Sequence, residues 1–134
     1  MSPTSNGFTL IELVVTLAII GLISALILPN FGLLQKKAKA STLKSVSHTF
    51  QMALESYHLE NGNYPLGTGL SIKGLSDALI QTQDLKKTPI NPYTGKAFTD
   101  SDTAGTGSYT SNGSGYSLTF YGESTAETII QVSD

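Results

Sequence analysis

The chain contains no cysteine, and all eight of its basic residues are lysine. Without cysteine no disulfide can hold the fold, so a small domain here depends on packing or on association with copies of itself. Without arginine, and with acids concentrated in the C-terminal part, the charge pattern of a nucleic-acid binder is missing. Catalytic side chains are equally scarce. The two histidines, His48 and His58, fall on one predicted helix, about 280° apart around its axis, and cannot converge on one metal or substrate. No glycine-rich phosphate loop follows a strand and opens a helix. The residues argue against an enzyme.

What the sequence does have is one long run almost without charge. From Phe8 to Leu28 the only charged residue is Glu12, and about 21 residues at 1.5 Å rise give roughly 30 Å, the hydrocarbon thickness of a bilayer. This predicts a membrane-spanning helix. An ionised carboxylate inside such a helix costs about 2.5 to 3.5 kcal/mol on insertion scales, so Glu12 needs a partner cation. No lysine lies near it. Cutting between Gly7 and Phe8 would create one, as a new amino terminus four residues from Glu12. An ordinary secretory signal fits poorly, because Met1 to Asn6 carries no basic residue and no Ala-x-Ala precedes Pro29. A plain anchor explains the length but neither Glu12 nor the Gly-Phe step.

The run Gly7-Phe8-Thr9-Leu10-Ile11-Glu12, between a short polar leader and the apolar segment, resembles the class III signal of type IV pilins and pseudopilins. The resemblance implies that a membrane-embedded prepilin peptidase cleaves after Gly7, that Phe8 is then N-methylated, and that Glu12 neutralises the terminus of a neighbouring subunit during filament assembly. It implies a single-pass protein of the bacterial inner membrane, with its head in the periplasm or outside. The implied partners are further copies in a helical homopolymer, minor pilins or pseudopilins, and an inner-membrane assembly platform with its ATPase. The lysines point the other way. Lys36, Lys37, Lys39 and Lys44 follow the span and none precedes it, which by the positive-inside rule would place the C-terminal domain in the cytoplasm.

On this reading residues 1–7 are a leader, 8–28 the transmembrane and assembly helix, and 29–134 a stem helix and globular head. Pro29 should kink the helix or open its backbone bonds. Gly21 either adds backbone freedom, so that the segment up to Pro29 loses helicity in a packed fibre as in resembling filaments, or is a small packing residue. Beyond Pro29 the helix should resume to about Glu60, with Leu34, Ala38, Leu43, Val46, Phe50, Ala53, Leu54 and Tyr57 on an apolar stripe and Lys36, Lys44, Ser47 and Gln51 elsewhere. Asn61-Gly62 supplies a left-handed cap and Pro65 forbids continuation. Nine of the ten acids follow, or lie at the end of, this basic stem. Either the stem of one copy lies against the head of another, or the lysines are a solvated face.

Tyr57-His58-Leu59-Glu60-Asn61-Gly62-Asn63-Tyr64-Pro65 is similar to the run that ends the long helix of the major pseudopilin of type II secretion. The similarity extends to a short helix around Leu75 to Thr82 and to Pro89, Asn91-Pro92-Tyr93 and Gly95. It implies a secretion pseudopilus; a type IV surface pilus, serving adhesion, motility or DNA uptake, is the alternative. Between Lys96 and Gly115 the composition is that of a loop, with Asn112-Gly113 a tight hairpin turn between Ser108-Tyr109-Thr110 and a strand Tyr116 to Tyr121. A last strand over Thr128 to Val132 completes a small antiparallel sheet. The fold class is α+β, a long N-terminal helix packed on that sheet. Major pseudopilins bind calcium in an aspartate- and glycine-rich loop after the equivalent of Tyr121-Gly122, but here the run reads Glu123-Ser124-Thr125-Ala126-Glu127. The expectation is no cofactor, with Asp100, Ser101, Asp102 and Glu123 the residues that could supply oxygens to a calcium ion.

Overall fold

A computed structural model describes residues 7–27 and 31–133. The elements are α1 (Leu10–Ile27), α2 (Phe31–Asn61), β1 (Gly67–Ser71), α3 (Ile72–Gln81), β2 (Gly107–Ser111), β3 (Tyr116–Tyr121) and β4 (Thr128–Ser133). This is the expected α+β order. Two compact units divide between Lys36 and Lys37, inside α2.

In the second unit, β1 to β4 form one antiparallel sheet in chain order. On β3, Tyr116, Leu118 and Phe120 are buried while the residues between them are half-buried, the alternation expected of a strand with one face on a core. From α2 the same core receives Leu43, Ser47, Phe50 and Leu54, at steps of four, three and four residues. That spacing places them on one helical stripe. Phe120 joins the layers, its ring 6.0 Å from Phe50 and 6.2 Å from Phe98. Fully burying each large side chain is worth about 1.5 to 3 kcal/mol, which makes this cluster the main support of a domain without disulfides.

The stripe differs from its prediction in two ways. Leu34 and Ala38 are exposed: nine and five residues before Leu43, they stand about 180° and 140° around the helix from it, off the buried stripe. Ser47, assigned to the outer face, is completely buried. A polar side chain at a core position misled the pattern, and its hydroxyl has no hydrogen-bond partner.

The end of α2 follows its sequence. Gly62 has φ +73°, its N–H donates to the His58 carbonyl at 2.8 Å, and Asn61 Nδ2 donates to the Tyr57 carbonyl at 2.9 Å. This is the left-handed cap that glycine permits without steric cost. Helix α3 opens earlier than expected, at Ile72, because the Ser71 hydroxyl caps it by accepting from the Gly74 N–H at 3.0 Å. Ile72, Leu75, Ser76 and Leu79 then face the core.

Strand β1 was not anticipated. Gly67-Thr68-Gly69-Leu70-Ser71 has no alternation to read, and its pairing with β2 shifts register between Gly67 and Leu70. The hairpin is also wider than a two-residue turn. Ser111 pairs with Tyr116, and Asn112 Oδ1 accepts from the N–H groups of Ser114 at 3.1 Å and Gly115 at 3.2 Å. The asparagine side chain thus folds four residues into the turn.

Candidate functional site: the capped apolar helix

Helix α1 runs 18 residues, about 27 Å at 1.5 Å per residue, and none of its side chains is buried. Its composition is apolar on every side, with Glu12 its one charge. A helix hydrophobic all round requires a lipid or protein environment, and this one is long and apolar enough to cross a membrane. Its one threonine obeys the same demand: the Thr16 hydroxyl donates to the Leu13 carbonyl at 2.8 Å.

Gly7 and Phe8 lie in irregular backbone ahead of α1, and Phe8 is 85% exposed. The Gly7–Phe8 amide therefore sits just outside the helix. Gly21 lies within an unbroken α1, with nothing within 4 Å of where a Cβ would stand. Pro29 and the leader residues Met1 to Asn6 fall outside the described residues, and so does the expected break at Pro29.

Glu12 is not alone. Glu12 Oε2 accepts from the Thr9 N–H at 3.0 Å and from the Thr9 hydroxyl at 2.9 Å, while Thr9 Oγ1 accepts from the Glu12 N–H at 3.3 Å. Threonine at the cap and glutamate at the third helical position close a reciprocal capping box, satisfying two backbone donors that the first turn leaves free. The carboxylate also sits at the positive end of the helix dipole. The sequence analysis missed Thr9 as a functional residue, although Thr9-x-x-Glu12 before an apolar run is the written form of this motif.

His58 stacks on Tyr64 with ring centroids 4.4 Å apart, and His48 is exposed. Among the described residues no three His, Asp or Glu side chains gather. The stem lysines are not uniformly solvated, since Lys39 Nζ stands 5.5 Å from the centroid of the Tyr93 ring in its own head.

Residues 3–28 match the family model described as the prokaryotic N-terminal methylation motif. The chain is 37% identical over 101 residues to the type II secretion system core protein G of Pseudomonas aeruginosa, covering 66% of this chain and 68% of that protein. The chain belongs to the core protein G family, the major pseudopilins of type II secretion. The core protein G of Escherichia coli K12 is 39% identical over 75 residues, 54% of this chain and 50% of that protein. The type IV major pilin protein PilA of Myxococcus xanthus is 38% identical over 63 residues, 47% of this chain and 29% of the pilin. The chain thus spans half or less of the length of these last two relatives. No solved structure matches it. Family membership and α1 together support a membrane-anchored subunit.

Proposed function

We propose that this pseudopilin is the repeating subunit of an inner-membrane-anchored pseudopilus that serves type II protein secretion. The observation that carries the proposal is the capping box at the head of an apolar, wholly unburied helix, within a chain that covers two thirds of a core protein G. The division into a leader (1–7), an assembly helix (8–28) and a stem with its head (29–134) belongs to the same reading.

A prepilin peptidase hydrolyses the exposed Gly7–Phe8 amide, and a methyl group replaces one hydrogen of the new amine on Phe8. Until assembly, Thr9 supplies Glu12 with two donors, which lowers the cost of holding a carboxylate at the membrane. On assembly Glu12 takes the Phe8 amine of a neighbouring subunit as its partner. Breaking such a buried pair by removing one member costs about 3 to 5 kcal/mol, enough to set subunit register. Gly21 and Pro29 leave the helix able to adjust as stems pack. An assembly platform and its ATPase extend the fibre, with minor pseudopilins priming it and the heads outside the cytoplasm. The lysine excess after the span makes this orientation an exception to the positive-inside rule.

The similarity to a type IV major pilin favours one second reading, a surface pilus. The decisive experiment replaces the native gene by Glu12→Ala. Cleavage should persist, while fibres disappear and secreted proteins accumulate in the periplasm. Normal secretion without fibres would refute the secretion role, long sheared surface filaments from the unaltered chain would establish the pilus, and normal fibres from the variant would remove the charge pair.

A further inference from the structure

Two loops at the C-terminal side of the head are tied by carboxylates that accept only from protein donors. Asn91 is completely buried, and its Nδ2 donates to Asp102 Oδ2 at 3.0 Å and to the Ala104 carbonyl at 2.8 Å. Its Oδ1 accepts from the Tyr93 N–H at 2.9 Å. Thr99 closes the other side of Asp102: its N–H donates to Oδ2 at 3.1 Å and its hydroxyl to Oδ1 at 2.8 Å. The chain wraps closely around the asparagine. Gly105 has φ +65°, and a Cβ on it would lie 2.3 Å from Asn91 Oδ1, so the loop has no space for a side chain there.

The second loop is fastened in the same way. Glu127 Oε2 accepts from the Glu123 N–H at 3.2 Å, and the Gly122 N–H donates to the Glu127 carbonyl at 2.7 Å. The Gly105 N–H donates to the Gly122 carbonyl at 2.7 Å and joins the two loops.

We infer that this head closes its loops without a divalent cation, the Asn91 amide and the Thr99 donors on Asp102 replacing the calcium expected of a major pseudopilin. Calcium takes six to eight oxygens. Both oxygens of Asp102 instead face N–H and O–H hydrogens, which satisfy the carboxylate and repel a cation. Asp100 Oδ1 accepts from the Ser71 hydroxyl. The recess between Asp100 and Asp102 is only about 90 Å³ and is lined by Ile72 and Phe98 together with Ser71, Thr99 and Thr106, of which Ser71 and Thr99 already donate to the two aspartates. In the loop after Gly122, Glu127 Oε2 is turned back onto the Glu123 N–H and so closes its own loop.

The test is thermal unfolding of the full chain in detergent, with EDTA and then with millimolar calcium chloride. A cation present at 100 times its dissociation constant would raise the Tm by on the order of 10 °C; no shift is expected. Asn91→Ala should lower the Tm by several degrees, equally in EDTA and calcium. Should that variant fail to fold, Asp102→Asn, which keeps the size and shape of the side chain, should also lower the Tm equally in both. A calcium-dependent rise in the unaltered chain overturns the inference, as does an unchanged Tm in Asn91→Ala. Because the readout is head stability, it stands or falls separately from the secretion role.

Discussion

Replacing Leu43 and, separately, Leu34 by alanine tests which of the stem leucines the core uses. Both leucines were expected on one apolar stripe, but nine residues place them about 180° apart around the axis, and Leu43 is completely buried while Leu34 is 58% exposed. Leucine-to-alanine changes in a core cost about 2 to 5 kcal/mol, the spread reflecting how far the site collapses. Leu43 is the first buried residue of α2, where neighbours can partly close, so about 3 kcal/mol is expected. For a domain of about 100 residues each kcal/mol moves the Tm by roughly 4 to 8 °C, so Leu43→Ala should lower it by about 12 to 24 °C. Leu34→Ala, an exposed change, should stay within about 0.5 kcal/mol, or some 4 °C at most. Near-ultraviolet circular dichroism in detergent is the assay, since buried Tyr109 and Tyr116 report on the head and no tryptophan interferes. Equal losses in the two variants, or no loss in Leu43→Ala, would refute the placement.

Ser47→Ala removes a buried hydroxyl without a partner and should raise stability by about 1 kcal/mol, read as a higher Tm; a lower Tm would mean the hydroxyl is satisfied in solution. Thr9→Val keeps the shape of the cap but loses its hydroxyl, at about 1 kcal/mol, so the first-turn amides of α1 should exchange roughly five-fold faster by hydrogen–deuterium exchange. Unchanged exchange would mean the capping box is not formed. Partial burial pushes the Asp102 carboxyl up, but the hydrogen bonds from Asn91 and from the Thr99 backbone and hydroxyl outweigh it and hold it below the ordinary aspartate value of 3.8. A depressed carboxyl contributes stability above its unfolded pKa and loses it as the pH falls through the folded value. The head should therefore weaken on acidification below about pH 4, and Asp102→Asn should flatten that part of the profile. An identical acid profile in the variant would contradict the assignment.

The parts legible in the sequence were those with a periodic or stereochemical signature. The apolar run from Phe8, helical over Leu10–Ile27, the Asn61-Gly62 cap and the alternation of β3 each follow from a local rule, and each stands where it was expected among the described residues. What escaped was set by tertiary surroundings. Ser47 is buried because its neighbours on the stripe are, and β1 is a strand only because β2 offers it an edge. Asn91 reads as a turn residue beside Pro92, and nothing local announces that its amide will meet Asp102 across eleven positions of chain. Thr9 belongs with the legible parts, since Thr9-x-x-Glu12 before an apolar run is a capping-box signature.

The most direct test of the proposed assembly is the intact mass of this pseudopilin taken from native membranes and from its fibres. The account predicts a chain that begins at Phe8, lacks Met1 to Gly7 and carries one added methyl group. Fibres built from a chain that retains Met1 to Gly7 would contradict it, because Glu12 would then have no terminal amine to pair with.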